Sequence, residues 1–123
     1  MESKICDTSD SFFSAYTSLP GNTACLDCSS PAPQWASVTY GILICMTCTT
    51  QHRSLGVSVS QVRSINLDLW TEKHISMMQQ GGNIQFKEYM EKYNLEGEEL
   101  RMKYQTKAAQ FYRRKIATLS SGA

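Results

Sequence analysis

Apolar and polar positions recur along this chain with two periods, one near 3.6 toward both ends and one of two in the middle. Phe12, Phe13, Tyr16 and Leu19 fall at helical spacing behind Ser9 and Asp10, either of which can cap the turn, and Pro20-Gly21-Asn22 stops it. Pro31 and Pro33 hold the next stretch extended, after which Trp35, Ser37 and Thr39 alternate with Ala36, Val38 and Tyr40, the signature of a strand. Gly41 ends that run. Ile42, Leu43 and Ile44 are apolar and largely β-branched, enough for a returning strand. Residues 47–55 suit a short helix with Gly56 placed to close it in the left-handed region, and Val57, Val59, Val62 and Ile65 predict a third strand carrying Arg63.

The second half changes to helical periodicity throughout. Thr71 can cap a helix over 72–80 that turns Ile75 and Met78 inward, with Met77 as a third candidate, and stops at Gly81-Gly82, and Asn83 can cap another that runs to Tyr93 and buries Met90 with either Phe86 or Tyr89. A long last helix is predicted over 98–119, with Leu100, Tyr104, Ala108, Phe111, Tyr112, Ile116 and Leu119 as its core stripe. The pattern predicts an α+β fold, a small three-stranded sheet covered by about five helices, and two Cys-x2-Cys pairs, Cys25 with Cys28 and Cys45 with Cys48, add a four-cysteine zinc finger to it. One domain is expected over 1–123, with a helix plus zinc and sheet module at 9–70, a helical half at 71–119 and a frayed tail at 120–123. At 123 residues with 41% hydrophobic content the core is modest, and a metal staple would add to it.

The candidate chemistry lies where the strands meet the turns. Cys25 and Cys28 form one Cys-x2-Cys, sixteen residues follow, and Cys45 and Cys48 form a second. Each pair turns tightly enough to aim two sulfurs at one ion, and two pairs complete a tetrahedron, for which one structural zinc ion is the expected occupant. Four thiolates leave no open position for water or substrate, so such an ion holds the fold and does no chemistry. The same cysteines would serve two disulfides or a rubredoxin-like iron. Residues 1–10 are polar and of both charge signs, unlike a secretory leader, and Cys6 is left over as a free thiol, which fits a reducing compartment. His52, at Cys48-x3-His52, is a spare ligand candidate.

Charge narrows the partners. The formal net charge is +1, too small for a whole-chain attraction to nucleic acid or anionic lipid. Its distribution is uneven: no acidic residue lies between Asp27 and Asp68, where Arg53 and Arg63 stand, and from Arg101 onward six basic residues occur with no acidic one. No stretch approaches the ~20 apolar residues of a membrane span. Arg53 falls in the last turn of its predicted helix, where a cation complements the dipole by about 0.3–1 kcal/mol. A second role for it is not decided by spacing alone.

Several segments, in order, carry a family resemblance. Trp35-Ala36-Ser37, Gly41-Ile42-Leu43-Ile44-Cys45, Cys48-x3-His52-Arg53-Ser54-Leu55-Gly56-Val57, Val62-Arg63-Ser64 and Asp68-x-Trp70 together resemble the GTPase-activating domain of Arf GAP proteins. Residues 12–22, ending in Pro-Gly-Asn, resemble the family's leading helix, and Gly82-Asn83 sits where the family has Gly-Asn. Lys103-Tyr104, Lys107-Ala108-Ala109 and Phe111-Tyr112-Arg113 are similar to the Golgi-type branch. The chain departs from the usual pattern at Thr49-Thr50-Gln51, commonly Ser-Gly-aliphatic, and at Ser58, often histidine.

The resemblance implies an Arf-family small GTPase in its GTP-bound, magnesium-loaded state as the partner, and Arg53 as an arginine finger that makes this chain a regulator and not itself an enzyme. It implies supporting or partner-contacting positions at Trp35, Arg63 and Asp68, which on chemistry alone are equally a core tryptophan, an Arg63–Asp68 ion pair and a helix cap. It also implies a cytoplasmic location peripheral to Golgi or other endomembranes. Two other functions share the cysteine spacing: a silent Arf-binding scaffold, and a GATA-like nucleic-acid finger, which would follow the zinc with a dense basic tail that this chain lacks.

Overall fold

A computed structural model describes residues 4–121. Its elements are α1 (Ser9–Tyr16), β1 (Trp35–Ser37), β2 (Ile42–Ile44), α2 (Met46–Ser54), β3 (Val62–Ser64), α3 (Glu72–Gln80), α4 (Asn83–Lys92), α5 (Leu100–Lys103) and α6 (Lys107–Ser120). The fold is α+β, as the hydrophobic pattern predicts. β1 is the centre of an antiparallel sheet of order β2-β1-β3, with Trp35 opposite Ile44 on one side and Ser64 on the other.

Both faces of this sheet are covered, which explains why β2 is apolar at every position. Ile42 and Ile44 point into one core with Tyr40, Phe86, Met90, Tyr104, Tyr112 and Ile116, so α4, α5 and α6 cover that face. Leu43 points the other way, with Ala36 and Val38, against Phe13 and Tyr16 of α1 and Ile75 and Met78 of α3. All three β2 side chains are 0% exposed. Each such burial is worth about 1.5–3 kcal/mol, more than the few ladder bonds of a three-residue strand.

Two close backbone approaches lock the layers. Gly41, with φ +64, lets the β1–β2 turn lie on the end of α3: a Cβ at Gly81 would stand 2.6 Å from the Gly41 carbonyl oxygen. The Gly82 N–H donates to that same carbonyl at 2.8 Å, and the Tyr16 hydroxyl lies 2.8 Å from both it and the Met78 carbonyl. Buried Asn83 then ties α4 to the sheet, its Oδ1 accepting from Leu43 N and its Nδ2 donating to the Ala24 and Leu43 carbonyls. Asn22 accepts from Asn83 N and donates to the Tyr16 carbonyl, so the two asparagines join α1, the first cysteine loop, β2 and α4.

The fold departs from the sequence reading in several places. α1 ends at Tyr16, and Leu19 is exposed beyond it; its N-cap is Thr8, not Ser9 or Asp10. β1 is shorter than the alternation suggests because residues 38–41 are already in the turn. Val57 lies in a turn and is 77% exposed, and β3 begins only at Val62. Thr71 does cap α3, in a capping box with His74, but Asn83 is the first residue of α4 and not its cap, which is Gly82. The last helix is two, so the described residues hold six helices. Thr106 interrupts the run by accepting from Ala109 N at 3.1 Å and restarting the helix as its N-cap. Leu100, Tyr104, Tyr112 and Ile116 keep their core places, whereas Phe111 is 67% exposed. Of the tail, Ser120 closes α6, and residues 122–123 lie outside the described residues.

Candidate functional site

The first cysteine loop is shaped by its own backbone. Cys25 N donates to the Ser30 carbonyl at 2.8 Å and Ser29 N donates back to the Cys25 carbonyl at 2.9 Å, with Ser29 in the left-handed region at φ +66. Leu26 N donates to the Leu43 carbonyl, pinning the loop to β2. The second pair is built differently. Cys45 is the N-cap of α2 and Cys48 lies in its first turn, so one sulfur comes from the end of a strand and the other from a helix.

The four Sγ atoms lie within 4.8 Å of one another, and none is in a disulfide. Tetrahedral thiolates about 2.3 Å from a central ion stand about 3.8 Å apart, so the cluster has the dimensions of a metal site. The donor chemistry fits as well. A Ser30 hydroxyl 3.1 Å from the Cys28 sulfur, with the Ser30 backbone, brings the exposed Cys28 thiol down to about 6. Burial pushes Cys25 up, and burial together with the adjacent Cys25 pushes Cys48 far up. Two of the four thiols therefore resist ionisation in a protein field alone, and a bound cation supplies the charge that ionises all four. These cysteines, close together, with Cys25 and Cys48 buried and Cys28 and Cys45 accessible, can hold a metal ion.

The helix that starts in this knuckle ends in the arginine. His52, fully buried, is fixed from both ring nitrogens: Nε2 donates to Asp27 Oδ2 at 2.8 Å, and Nδ1 lies 2.7 Å from Ser60 Oγ, which is itself 2.6 Å from Ser37 Oγ. His52 is thus no spare metal ligand, since both its nitrogens are occupied. Asp27 sits inside the first Cys-x2-Cys and receives two further donors, Lys103 Nζ at 2.6 Å and the Tyr104 hydroxyl at 3.0 Å. Burial of the Asp27 carboxyl opposes ionisation, but the His52 hydrogen bond and the Lys103 charge outweigh it and hold the group below its ordinary range. The sequence assigns none of Asp27, Ser60, Lys103 and Tyr104 to the site; the local signals are a carboxylate between two cysteines and the Lys103-Tyr104 pair, there only a mark of family resemblance.

Arg53 follows His52 and points outward from the last turn of α2. Its guanidinium carbon lies 5.2 Å from the centroid of the half-buried Trp35 ring. Among the described residues no carboxylate lies within ion-pair distance of it. The helix closes immediately after it: Gly56, at φ +97, donates to the Arg53 carbonyl. Arg53 also lines a shallow cleft of about 300 Å³ with Val57, Gln61, Arg63 and Asp68. Trp35, Arg53, Arg63 and Asp68, far apart in sequence, therefore meet at one surface.

Arg63 and Asp68 do not form the ion pair considered from sequence. Arg63 Nη1 donates to the Leu69 carbonyl at 3.0 Å and its buried Nε has no partner, while Asp68 Oδ2 accepts from Ser64 N at 2.7 Å. Asp68 is no helix cap either, that place belonging to Thr71. Trp70 is core, its Nε1 donating to the Ser64 carbonyl and its ring edge-on to Phe13. Val57, Leu67 and Leu69 stand 77%, 82% and 70% exposed on the loops that border this cleft, more apolar surface than isolated solvent-facing positions need.

Knuckle, helix and sheet together define a metal-knuckle module of the α+β class, with an arginine displayed at the end of the helix that the knuckle roots. The chain belongs to the ArfGap family, whose description, "Putative GTPase activating protein for Arf", matches residues 10–120. It is 40% identical over 112 residues to "ADP-ribosylation factor GTPase-activating protein 3" of Macaca fascicularis, covering 90% of this chain and 22% of that protein. It is 54% identical over 72 residues to "Probable ADP-ribosylation factor GTPase-activating protein AGD15" of Arabidopsis thaliana, covering 58% of this chain and 31% of that one. Among solved structures, a "putative GTPase activating protein for ADP ribosylation factor from Cryptosporidium parvum" superposes with a TM-score of 0.84 at 29% identity, over 91% of this chain and 90% of that one. The chain spans about a fifth of the length of the first of these relatives.

Proposed function

We propose that this chain stimulates GTP hydrolysis by an Arf-type small GTPase in its GTP-bound state, with Arg53 as the arginine finger. The single observation that carries the reading is the presentation of Arg53: exposed, without a carboxylate partner among the described residues, resting on Trp35 and rooted through His52 in the metal knuckle. As the γ-phosphoryl group departs, negative charge spreads over its oxygens. A guanidinium brought in from outside stabilises that charge more in the transition state than in the ground state. An arginine supplied in this way is worth about 10³–10⁵ in rate, or on the order of 4–7 kcal/mol, against about 0.3–1 kcal/mol for dipole complementation. The magnitude separates a finger from a mere helix-end cation.

Zinc is the ion we assign to Cys25, Cys28, Cys45 and Cys48, in a closed structural site. When bound it supplies rigidity, and the phosphate chemistry belongs to Arg53 and the partner's own magnesium and nucleotide. The chain would then be a regulator that completes a partner's active site. Arg63 and Asp68, which line the shared cleft, would contact the GTPase across it, with Val57, Leu67 and Leu69 as its apolar rim. We further place the chain in the Golgi-type branch, acting in the cytoplasm at the surface of endomembranes.

The deciding measurement is single-turnover hydrolysis by a panel of GTP-loaded Arf proteins with wild type and Arg53→Lys. Lysine keeps the charge but loses the planar fork, so acceleration should fall about 10³-fold with the melting temperature unchanged. Wild type that accelerates no Arf protein, or Arg53→Lys that keeps most of the acceleration, would leave a silent Arf-binding module as the correct reading.

A further inference from the structure

On a surface that shares no lining residue with the Arg53 cleft, α4 and α6 enclose a groove of about 520 Å³, within the range of specific binding pockets. Its walls are the rings of Tyr89, Tyr93, Phe111 and Tyr112, with Lys107 and Lys115 at its edges. Three of these rings form a continuous wall, Tyr89 lying 5.0 Å from Tyr93 and 4.8 Å from Tyr112 between centroids. Two of the hydroxyls are already engaged, Tyr89 with the Ala108 carbonyl and Tyr112 with Gln85 Nε2, so what those rings offer the groove is apolar surface.

Phe111 is the residue out of place. Ala109, Tyr112 and Ile116 bury one face of α6, while Phe111 is 67% exposed and Tyr93, which lines the same groove, 48%. Helical spacing puts Phe111 among Lys107, Arg114 and Lys115, at i−4, i+3 and i+4. No acidic residue occurs anywhere in α6, and Lys92 Nζ stands 5.9 Å from the Tyr93 ring centroid at the far wall. The groove is therefore aromatic on its walls and cationic at its edge, with no carboxylate in its lining. Its concavity selects the occupant: a flat lipid surface leaves a groove empty, whereas a protruding side chain fills it.

We infer that this groove docks an acidic segment of a partner protein, seating one large apolar side chain between Tyr93 and Phe111 while flanking carboxylates meet Lys107 and Lys115. The inference does not rest on the reading of Arg53. Because the two surfaces share no lining residue, such a segment can be held while the cleft is engaged, which would let an acidic partner recruit the module without blocking it.

The test uses the metal-loaded, ¹⁵N-labelled chain titrated with three short acidic peptides, EEDFEELE and its Leu and Trp counterparts at the central position. The expected result is saturable shifts confined to Tyr89, Tyr93 and α6, in the range of tens to hundreds of micromolar, weakening as salt rises. Phe111→Ala, and separately Lys107→Glu with Lys115→Glu, should each weaken binding roughly tenfold or more while leaving the spectrum of the rest of the fold unchanged. Absence of binding by all three peptides at about 1 mM would overturn the proposal. So would equal binding of EEDAEEAE, which reports charge alone, or shifts centred elsewhere. Sedimentation with phosphatidylcholine vesicles carrying roughly a third phosphatidylserine, lost in Phe111→Ala but unaccompanied by peptide binding, would replace it with a membrane surface.

Discussion

Lys103→Met is the sharpest probe of how the arginine is held. Lys103 is 5% exposed, and its ammonium stands 2.6 Å from Asp27 Oδ1, inside the loop that carries Cys25 and Cys28. Methionine keeps the length and apolar stem but removes the charge, so Asp27 is left buried with only His52 and Tyr104 as donors. Removing one partner of a buried pair costs about 3–5 kcal/mol, because the remaining charge is uncompensated. The two surviving donors argue for the lower end, about 3 kcal/mol. For a chain of this size that lowers the melting temperature by about 10 °C and consumes a large part of a typical stability of about 5–15 kcal/mol. The assay is urea denaturation of the metal-loaded protein, followed by far-UV circular dichroism. Asp27→Asn beside Lys103→Met closes a double-mutant cycle, and the double variant should be less destabilised than the sum of the single ones. A loss below about 1 kcal/mol, or strict additivity, would mean that the ammonium is solvated and that Lys103 has no part in holding the Asp27–His52 contact that positions α2.

The same chain of contacts predicts three further outcomes. Trp35→Ala should lower GTPase stimulation roughly tenfold by freeing the guanidinium, whereas Trp35→Phe, which keeps a ring face, should retain most of it; equal losses in single-turnover rates would remove the ring from the account. Stripping the metal with a chelator, or Cys48→Ser, should abolish cooperative melting and not merely slow the reaction, a result read by calorimetry and opposed by an apo form with native melting. Asn83→Ala should cost about 2–4 kcal/mol in chemical denaturation, since it strands buried Leu43 N as well as removing three hydrogen bonds, and a cost under about 1 kcal/mol would mean water replaces the side chain.

What was legible in the sequence was what acts over short distances. Each cysteine pair is complete within four residues, α3 announces itself through Thr71 and Gly81-Gly82, and β2 through three consecutive buried apolar side chains. What was not legible acts across the chain. Asp27 and Lys103 are 76 residues apart and meet only because α5 packs beneath the first knuckle, and nothing about either residue alone distinguishes it from a solvated charge. The break between α5 and α6 was hidden for a related reason: the apolar stripe continues through Tyr104 on both sides, and Thr106, tolerable inside a helix, becomes a cap only once the tertiary core fixes Tyr104 and Ala109. Helical periodicity places Phe111 in the core because it reports spacing and not which face is already covered.

The metal knuckle alone does not aim the arginine, and the structure says what does. Cys48 and Arg53 are five residues apart on α2, about a turn and a half, so the cysteines fix where the helix begins but leave its roll about its own axis to be set further along. His52 sets it. Its two ring nitrogens bind Asp27 on the knuckle side and Ser60, next to the strand side, so the imidazole spans the inner face of α2 and prevents rotation. With that face pinned, the next residue must point outward, over Trp35 and toward Arg63 and Asp68. The predicted consequence is a separation of stability from aim. His52→Gln, which can still reach one of the two partners, should keep the fold and the metal while lowering GTPase stimulation well beyond its effect on binding the GTPase. Single-turnover rates, affinity for GTP-loaded Arf protein and metal content, measured together, distinguish this from simple unfolding. Parallel losses in all three would show that His52 supports the fold and does not orient Arg53.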